Sequence, residues 1–349
     1  MTDRVGELLD ILAVQQHLTP KEYQCLIEGF DAEAADYAAA LARQVRRMEY
    51  GDSVFVWGLL ELGNLCRNNC YYCEVRSDND RCQRYRLTPS EIMECCEEAY
   101  ALGIRSFILE GGENGEHTVL PVCRMIERIR TRFPDCSVGL SLGECSRETY
   151  LRMYRAGADR YLLRHETANA DHYQRLHPGS MTLMNRMRCL YDLQEIGFQT
   201  GCGFMVGSPF QSPSTLAQDL SFIEAFKPAM CSIGPFIPQQ NTPFRSYPAG
   251  SADLTLYLLS LLRLIQPNLL LPSTAALTTL KSNGHRQALL AGANVIMPNI
   301  SPISVQGRYG LSDGRVCIGS QTAECLDLLG QMAETINCRI SVSRGDPVA

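Results

Sequence analysis

Val54-Phe55-Val56-Trp57-Gly58-Leu59-Leu60, followed after five residues by Cys66-Arg67-Asn68-Asn69-Cys70-Tyr71-Tyr72-Cys73, is the stretch from which the fold is read. The first part, rich in β-branched and aromatic residues, reads as a buried strand. The loop after it carries three cysteines at C-x3-C-x2-C spacing. Three thiolates so close can wrap one face of a cubane iron–sulfur cluster, holding three irons and leaving the fourth open to another ligand. The plainer readings are a structural zinc site or buried thiols. Zinc usually asks for four ligands in two pairs, and no second pair lies nearby.

Working outward, seven more short apolar runs follow: Ser106–Leu109, Ser137–Leu142, Arg160–Leu163, Gln199–Val206, Met230–Ile233, Leu269–Pro272 and Asn294–Met297. Helical patterns separate them. Each parallel return in a sheet needs a crossover helix, and eight strands close a complete TIM-type (β/α)8 barrel of the α/β class. The expected organisation is an N-terminal helical extension over residues 1–50, the barrel over 51–330 and a C-terminal tail over 331–349. In the extension, apolar spacing predicts helices through Val5–Leu12 and Tyr37–Val45. Thr88-Pro89-Ser90-Glu91 reads as a capping box opening a helix that runs to about Leu102. Adjacent Cys95 and Cys96 on that helix face different directions and are poor joint ligands. Leu254 to Ile265 reads as a core helix, too short for a bilayer.

The chain has 349 residues, 45% hydrophobic and 20% charged, with a formal net charge of −6. Interspersed charges give no nucleic-acid footprint. The charged N-terminus lacks the apolar run of a signal peptide, so a cytoplasmic protein without membrane partners is expected. Sixteen cysteines in a large chain of this kind suggest metal ligation or burial rather than disulfides. Cys25, Cys123, Cys136, Cys189, Cys202, Cys231 and Cys338 sit singly on apolar patterns and read as small buried hydrophobes.

The cysteine triplet with Tyr72 before its last member, and Gly111-Gly112-Glu113 just after the second strand, resemble the signatures of the radical S-adenosylmethionine (SAM) superfamily. Within it the chain is similar to the HydE-type maturases of [FeFe]-hydrogenase. That resemblance rests on RYRLTP (84–89), SLGE (141–144), AGADRYLLRHETAN (156–169), MVGSP (205–209), IGPFIP (233–238), Asn241-Thr242-Pro243 and GANVIMPN (292–299).

The resemblance implies an enzyme whose Cys66, Cys70 and Cys73 ligate a catalytic [4Fe–4S] cluster. The open iron would chelate SAM, and the reduced cluster would split it to a 5′-deoxyadenosyl radical. It further implies that Tyr72, Gly111, Gly112 and Glu113 approach SAM, with Glu113 meeting its amino group. Arg164, Glu166 and Arg186 are implied to contact SAM too, while Met205, Thr274, Met297 and Tyr309 line the cavity. His165 receives no role. The implied substrate is a small organometallic iron complex bearing cysteine, carbon monoxide and cyanide. The implied partners are the maturases HydG and HydF, met transiently, and a reductant such as ferredoxin or flavodoxin. One departure stands out. An accessory cluster in such proteins uses C-x7-C-x2-C near the C-terminus, and here Cys317 and Cys325 are followed by Leu328, so no second cluster is expected. Two rival readings stay open: a radical SAM mutase of the methylornithine synthase type, and a non-catalytic iron–sulfur scaffold.

Overall fold

The computed structural model describes residues 1–115, 118–309 and 322–348. Three helices come first: α1 (Asp3–Gln15), α2 (Pro20–Glu28) and α3 (Ala32–Tyr50). Each begins where a side chain accepts from a free backbone amide, with Thr2, Thr19 and Asp31 as the caps. The extension packs on the barrel's flank, α2 against the helix Pro213–Phe226 and α3 against the helix Ala252–Ile265. Enclosed on both sides, Ala252–Ile265 is the expected core helix. Its buried Arg263 is tolerated because the guanidinium donates to Gly292 O, Pro267 O and Asn294 Oδ1 at 2.9, 2.6 and 3.1 Å.

The strands are β1 (Ser53–Val56), β2 (Gly58–Gly63), β3 (Ser106–Gly111), β4 (Ser137–Ser141), β5 (Arg160–Leu162), β6 (Gln199–Cys202), β7 (Met205–Val206), β8 (Met230–Cys231), β9 (Gly234–Pro235), β10 (Pro272–Ser273), β11 (Val295–Ile296) and β12 (Arg339–Ser341). Every pairing between them is parallel. One arc runs β2-β3-β4-β5-β6-β8, and another runs β10-β11-β1. A parallel bridge between Met230 and Leu270 joins the arcs. Since β1 and β2 are two halves of one strand broken at Trp57, the hydrogen-bonded neighbours return to their start. Eight strand positions make a (β/α)8 barrel, each on one of the eight apolar runs. The capping box at Thr88 is formed, with Thr88 and Glu91 each bonding the other's backbone amide.

The segment 331–349 is more than a tail. The helix Thr322–Glu334 crosses residue 330, and β12 pairs with β1. Behind it, Arg344, Gly345 and Asp346 close the N-terminal end of the barrel around Arg160, which is 1% exposed. The Arg160 guanidinium donates to Ser106 Oγ, Ser137 Oγ, Gln199 Oε1, the carbonyls of Arg344 and Gly345, and Asp346 Oδ1, all within 2.9 Å.

Side chains alternate across a strand, so β3 sends Ser106, Ile108 and Glu110 inward at rising levels. On β4 the matching positions are Ser137, Gly139 and Ser141, and from β5 they are Arg160, Leu162 and Arg164. Gly139 and Gly201 leave room for neighbours: a Cβ there would stand 2.5 Å from Ile108 Cδ1 and Met230 Cε respectively. The interior thus has a polar floor, an apolar middle and a polar mouth.

Candidate cluster and cofactor site

The cysteine loop leaves β2 at Gly63 and is fixed largely through its own backbone. Arg84 binds four carbonyls across it: Asn64 O (2.6 Å) and Val75 O (2.8 Å) through Nη1, Arg76 O (2.6 Å) and Asn79 O (3.2 Å) through Nη2. Buried Asn64 donates to Gln83 O and Arg308 O and accepts from the Tyr85 amide. The amides of Ser77 and Tyr71 donate to Asn68 O and Leu176 O. A loop with its carbonyls so engaged holds its side chains in one arrangement. Neither Arg84 nor Asn64 is singled out by the sequence reading; RYRLTP, which begins at Arg84, is the only signal.

Cys66, Cys70 and Cys73 are free thiols, partly exposed. Burial pushes all three up, Cys70 to about 12, and they act on one another, since Cys70 and Cys66 both add to the rise at Cys73. The Arg186 guanidinium opposes that rise at Cys70. Such thiols become thiolates when iron supplies the counter-charge. Among the described residues no three His, Cys, Asp or Glu side chains gather as a single-ion site. A cubane's thiolates each hold a different iron, so they need no such convergence.

Tyr72 is fixed by His177. The His177 Nδ1–H donates to Tyr173 O (2.9 Å), leaving Nε2 to accept from the Tyr72 hydroxyl at 3.1 Å. Burial lowers His177 to about 3, which keeps it neutral.

The Gly-Gly-Glu loop touches the cysteine loop. A Cβ on Gly112 would fall 2.1 Å from Leu65 O, so only glycine admits this approach. The Arg67 amide donates to Glu113 O at 2.8 Å. Glu113, 7% exposed, accepts from Arg67 through Oε1 (3.0 and 2.6 Å) and from the Glu144 amide through Oε2 (2.7 Å). Both carboxylate oxygens are therefore engaged in tying the loops after β2, β3 and β4 together.

Beyond β5, alternation splits Arg164-His165-Glu166. His165 packs behind the barrel, accepting from the Gly203 amide and lying 3.3 Å from Asp219 Oδ1 through Nε2. Glu166 takes a positive φ of 66°, a conformation that costs about 1–3 kcal/mol in a residue with a side chain. Arg164 Nη2 and Glu166 Oε2 stand 3.3 Å apart, yet neither atom, nor Arg164 Nε, makes a hydrogen bond. Arg186 donates to Glu144 Oε1 at 2.6 Å and to Arg164 O, while Asn185 holds the other Glu144 oxygen.

A cavity of about 1390 Å³ opens at the C-terminal ends of the strands, and Tyr72, Cys73, Arg164, Met205, Thr274, Met297 and Tyr309 all line it. Cys66, Cys70, Gly111, Gly112, Glu113, Glu166 and Arg186 are not among the lining residues. Sequence reasoning missed Glu110, Ser141 and Ser232 in the wall; counting two residues on from Ile108 along β3 would have found the first. Pockets of 300–1,000 Å³ suffice for one small ligand, so this one has space for SAM and a second molecule. Orphaned buried donors on Arg164 and an orphaned acceptor on Glu166, beside the cysteine loop, fit a polar cofactor such as SAM. Cys317 lies outside the described residues; Cys325 is half-buried on the helix Thr322–Glu334.

A parallel barrel with this cysteine loop and glycine-rich contact at its mouth defines a radical SAM enzyme, and residues 60–223 match the radical SAM superfamily. The cofactors of that class are a [4Fe–4S] cluster and SAM. The chain is 38% identical over 296 residues to the [FeFe] hydrogenase maturase subunit HydE of Thermotoga maritima, across 85% of this chain and 84% of that one. It belongs to the HydE family of hydrogenase maturases. Among solved structures, methylornithine synthase (PylB) has the same fold, with a TM-score of 0.83 at 22% identity over 96% of this chain and 97% of the other. HydG, a maturase of the [FeFe]-hydrogenase, follows with a TM-score of 0.80 at 19% identity over 96% and 75%. Among the described residues no helix is long and apolar enough to cross a membrane.

Proposed function

We propose that this chain builds a precursor of the di-iron subcluster of [FeFe]-hydrogenase from a small iron(II) complex that carries cysteine, carbon monoxide and cyanide. Cys66, Cys70 and Cys73 hold the cluster, which when bound supplies the electron that splits SAM to methionine and a 5′-deoxyadenosyl radical. The chain's own residues do the rest. Glu113 and Arg84 fix the loop that carries the cysteines, Arg164 and Glu166 present unsatisfied polar atoms to SAM, and the barrel wall screens the radical from water. The observation that supports the reading is a large cavity whose wall brings together Tyr72 and Cys73 of the cysteine loop with Arg164, Met205, Thr274 and Met297 from the strand ends. Transient exchange with HydG and HydF, and an electron from ferredoxin or flavodoxin, complete the proposal.

The test is in vitro maturation. Apo-[FeFe]-hydrogenase, HydG, HydF and this chain in place of HydE should yield hydrogen evolution that needs SAM and disappears with Cys70→Ala. A chain that cannot replace HydE but rearranges lysine to methylornithine would support the mutase reading instead.

A further inference from the structure

Of the motifs behind the family resemblance, MVGSP (205–209) and Asn241-Thr242-Pro243 give the cavity only Met205. The rest of each leads to the surface beside the cysteine loop. After Pro209 comes Phe210, whose φ of 69° is left-handed and whose ring is 45% exposed. The turn beneath it is locked. His172 Nε2–H donates to Pro209 O at 3.0 Å, the Gln211 amide to Ser208 O at 3.1 Å, and Gln211 Nε2 to Met205 O at 2.7 Å. A strained residue so firmly held, with an apolar ring turned to water, marks a surface built for contact. Tyr247, also exposed, stands edge-on to Phe210 with ring centroids 5.6 Å apart, and both rings meet Phe244. Phe244 in turn meets Tyr71, the neighbour of Cys70.

Arginines surround these rings. Arg175 lies over the Phe210 ring, 4.9 Å from its centroid. A second, more open cavity of about 780 Å³ joins the outer side of the cysteine loop to the loop that carries Phe244, with Arg76, Arg81 and Arg245 in its wall. The Arg76 amide donates to Cys73 O at 3.3 Å, so this cavity begins one turn from a cluster ligand. Arg81 and Arg245 are exposed, and among the described residues neither side chain has a hydrogen bond or ion pair. Arg76 stands 3.7 Å from Asp78, and its buried Nε has no partner. The acids here are Asp78, which also accepts from Asn69, and exposed Asp80. Four arginines against two aspartates make a basic face on a chain whose net charge is −6. An acidic partner is repelled by the whole molecule and drawn to this face. Aromatic rings and arginines are also the side chains that carry most binding energy at interfaces.

We propose that this face docks a small acidic electron-carrier protein that reduces the cluster. Phe210 and Tyr247 are its apolar anchor, and Arg76, Arg81, Arg175 and Arg245 form its charged rim. This deepens the function proposed above, whose electron comes from a protein donor. The barrel encloses the SAM side of the cysteine loop, so a donor too large for the cavity approaches from the solvent side. One electron passes: the carrier is oxidised by one, the cluster is reduced by one, and no bond is made or broken.

Flavodoxin is the probe, titrated into the reconstituted protein by calorimetry and mixed with it in stopped-flow reduction of the cluster. Arg81→Glu with Arg245→Glu reverses the rim, Tyr247→Ala trims the anchor, and equal iron content verifies that each variant folds. At low salt both should lose about tenfold or more in flavodoxin affinity and in the rate of reduction by flavodoxin. Reduction by dithionite, a small-molecule donor, should stay within about threefold. Added salt should weaken the unmodified complex and change the reversed one little. No measurable binding by the unmodified protein, unchanged affinity in either variant, or an equal loss with dithionite would each overturn the proposal. So would loss of hydrogenase maturation by R81E/R245E with dithionite as reductant, which would give the face to a maturation partner instead. Failure here is distinguishable from failure of the functional reading, because flavodoxin binding and cluster reduction need no hydrogenase. A chain that matures hydrogenase while R81E/R245E binds flavodoxin normally loses only the docking face. A chain that docks flavodoxin through these residues but cannot replace HydE loses only the maturase reading.

Discussion

Arg84 shows what one side chain contributes to a site it never enters. Its planar fork reaches four carbonyls in both arms of the cysteine loop, and a lysine, with one point charge, cannot reproduce that geometry. Hydrogen bonds to a charged group contribute about 1.5–3 kcal/mol each where water cannot replace them. Arg84→Ala should therefore leave the barrel folded but the loop loose. Iron after anaerobic reconstitution should drop from about four per chain to about one or less, with Arg84→Lys in between. Iron and sulfide assays check this, and an Arg84→Ala protein that still carries a full cluster would contradict it. The sequence made the cysteines legible because their spacing is itself the chemistry. Arg84 was not legible because its work is to satisfy carbonyls, which leave no trace in a residue pattern. Glu113 was legible as a motif, but its partners were not: expected against an ammonium, its oxygens lie on Arg67 and the Glu144 amide, in loops brought together only by the barrel.

Elements were legible where local chemistry is one-sided. All eight apolar runs became strands, and the capping box at Thr88 formed as spelled. β12 was hidden because Arg339-Ile340-Ser341 is short and half polar, and its partner β1 is nearly the whole chain away. What it contributes is measurable. Burial lowers Arg160 to about 10, and its guanidinium depends on the segment behind β12 for Arg344 O, Gly345 O and Asp346. Deleting residues 339–349 strands a buried charge, which typically costs about 3–5 kcal/mol. Chemical denaturation of the apo-protein should show that loss, and Arg160→Met in the shortened chain should recover part of it. An unmoved denaturation midpoint would mean that the C-terminal segment does not close the floor.

At the scale of the whole molecule, the barrel separates stability from chemistry. Its N-terminal floor is a closed polar network under an apolar layer, and its C-terminal mouth carries orphaned polar atoms, a strained Glu166 and the cysteine loop. TIM-type barrels generally divide their labour this way. A HydE-family enzyme with a large cavity at its mouth should couple SAM cleavage to its own substrate. The decisive measurement is 5′-deoxyadenosine released by the reconstituted, reduced protein, with and without the cysteine-bearing iron dicarbonyl cyanide complex. About one 5′-deoxyadenosine per complex consumed is expected, little without it, and none after any of Cys66→Ala, Cys70→Ala or Cys73→Ala. A protein that carries its cubane yet releases no 5′-deoxyadenosine with that complex present would contradict the account and leave an iron–sulfur scaffold in its place.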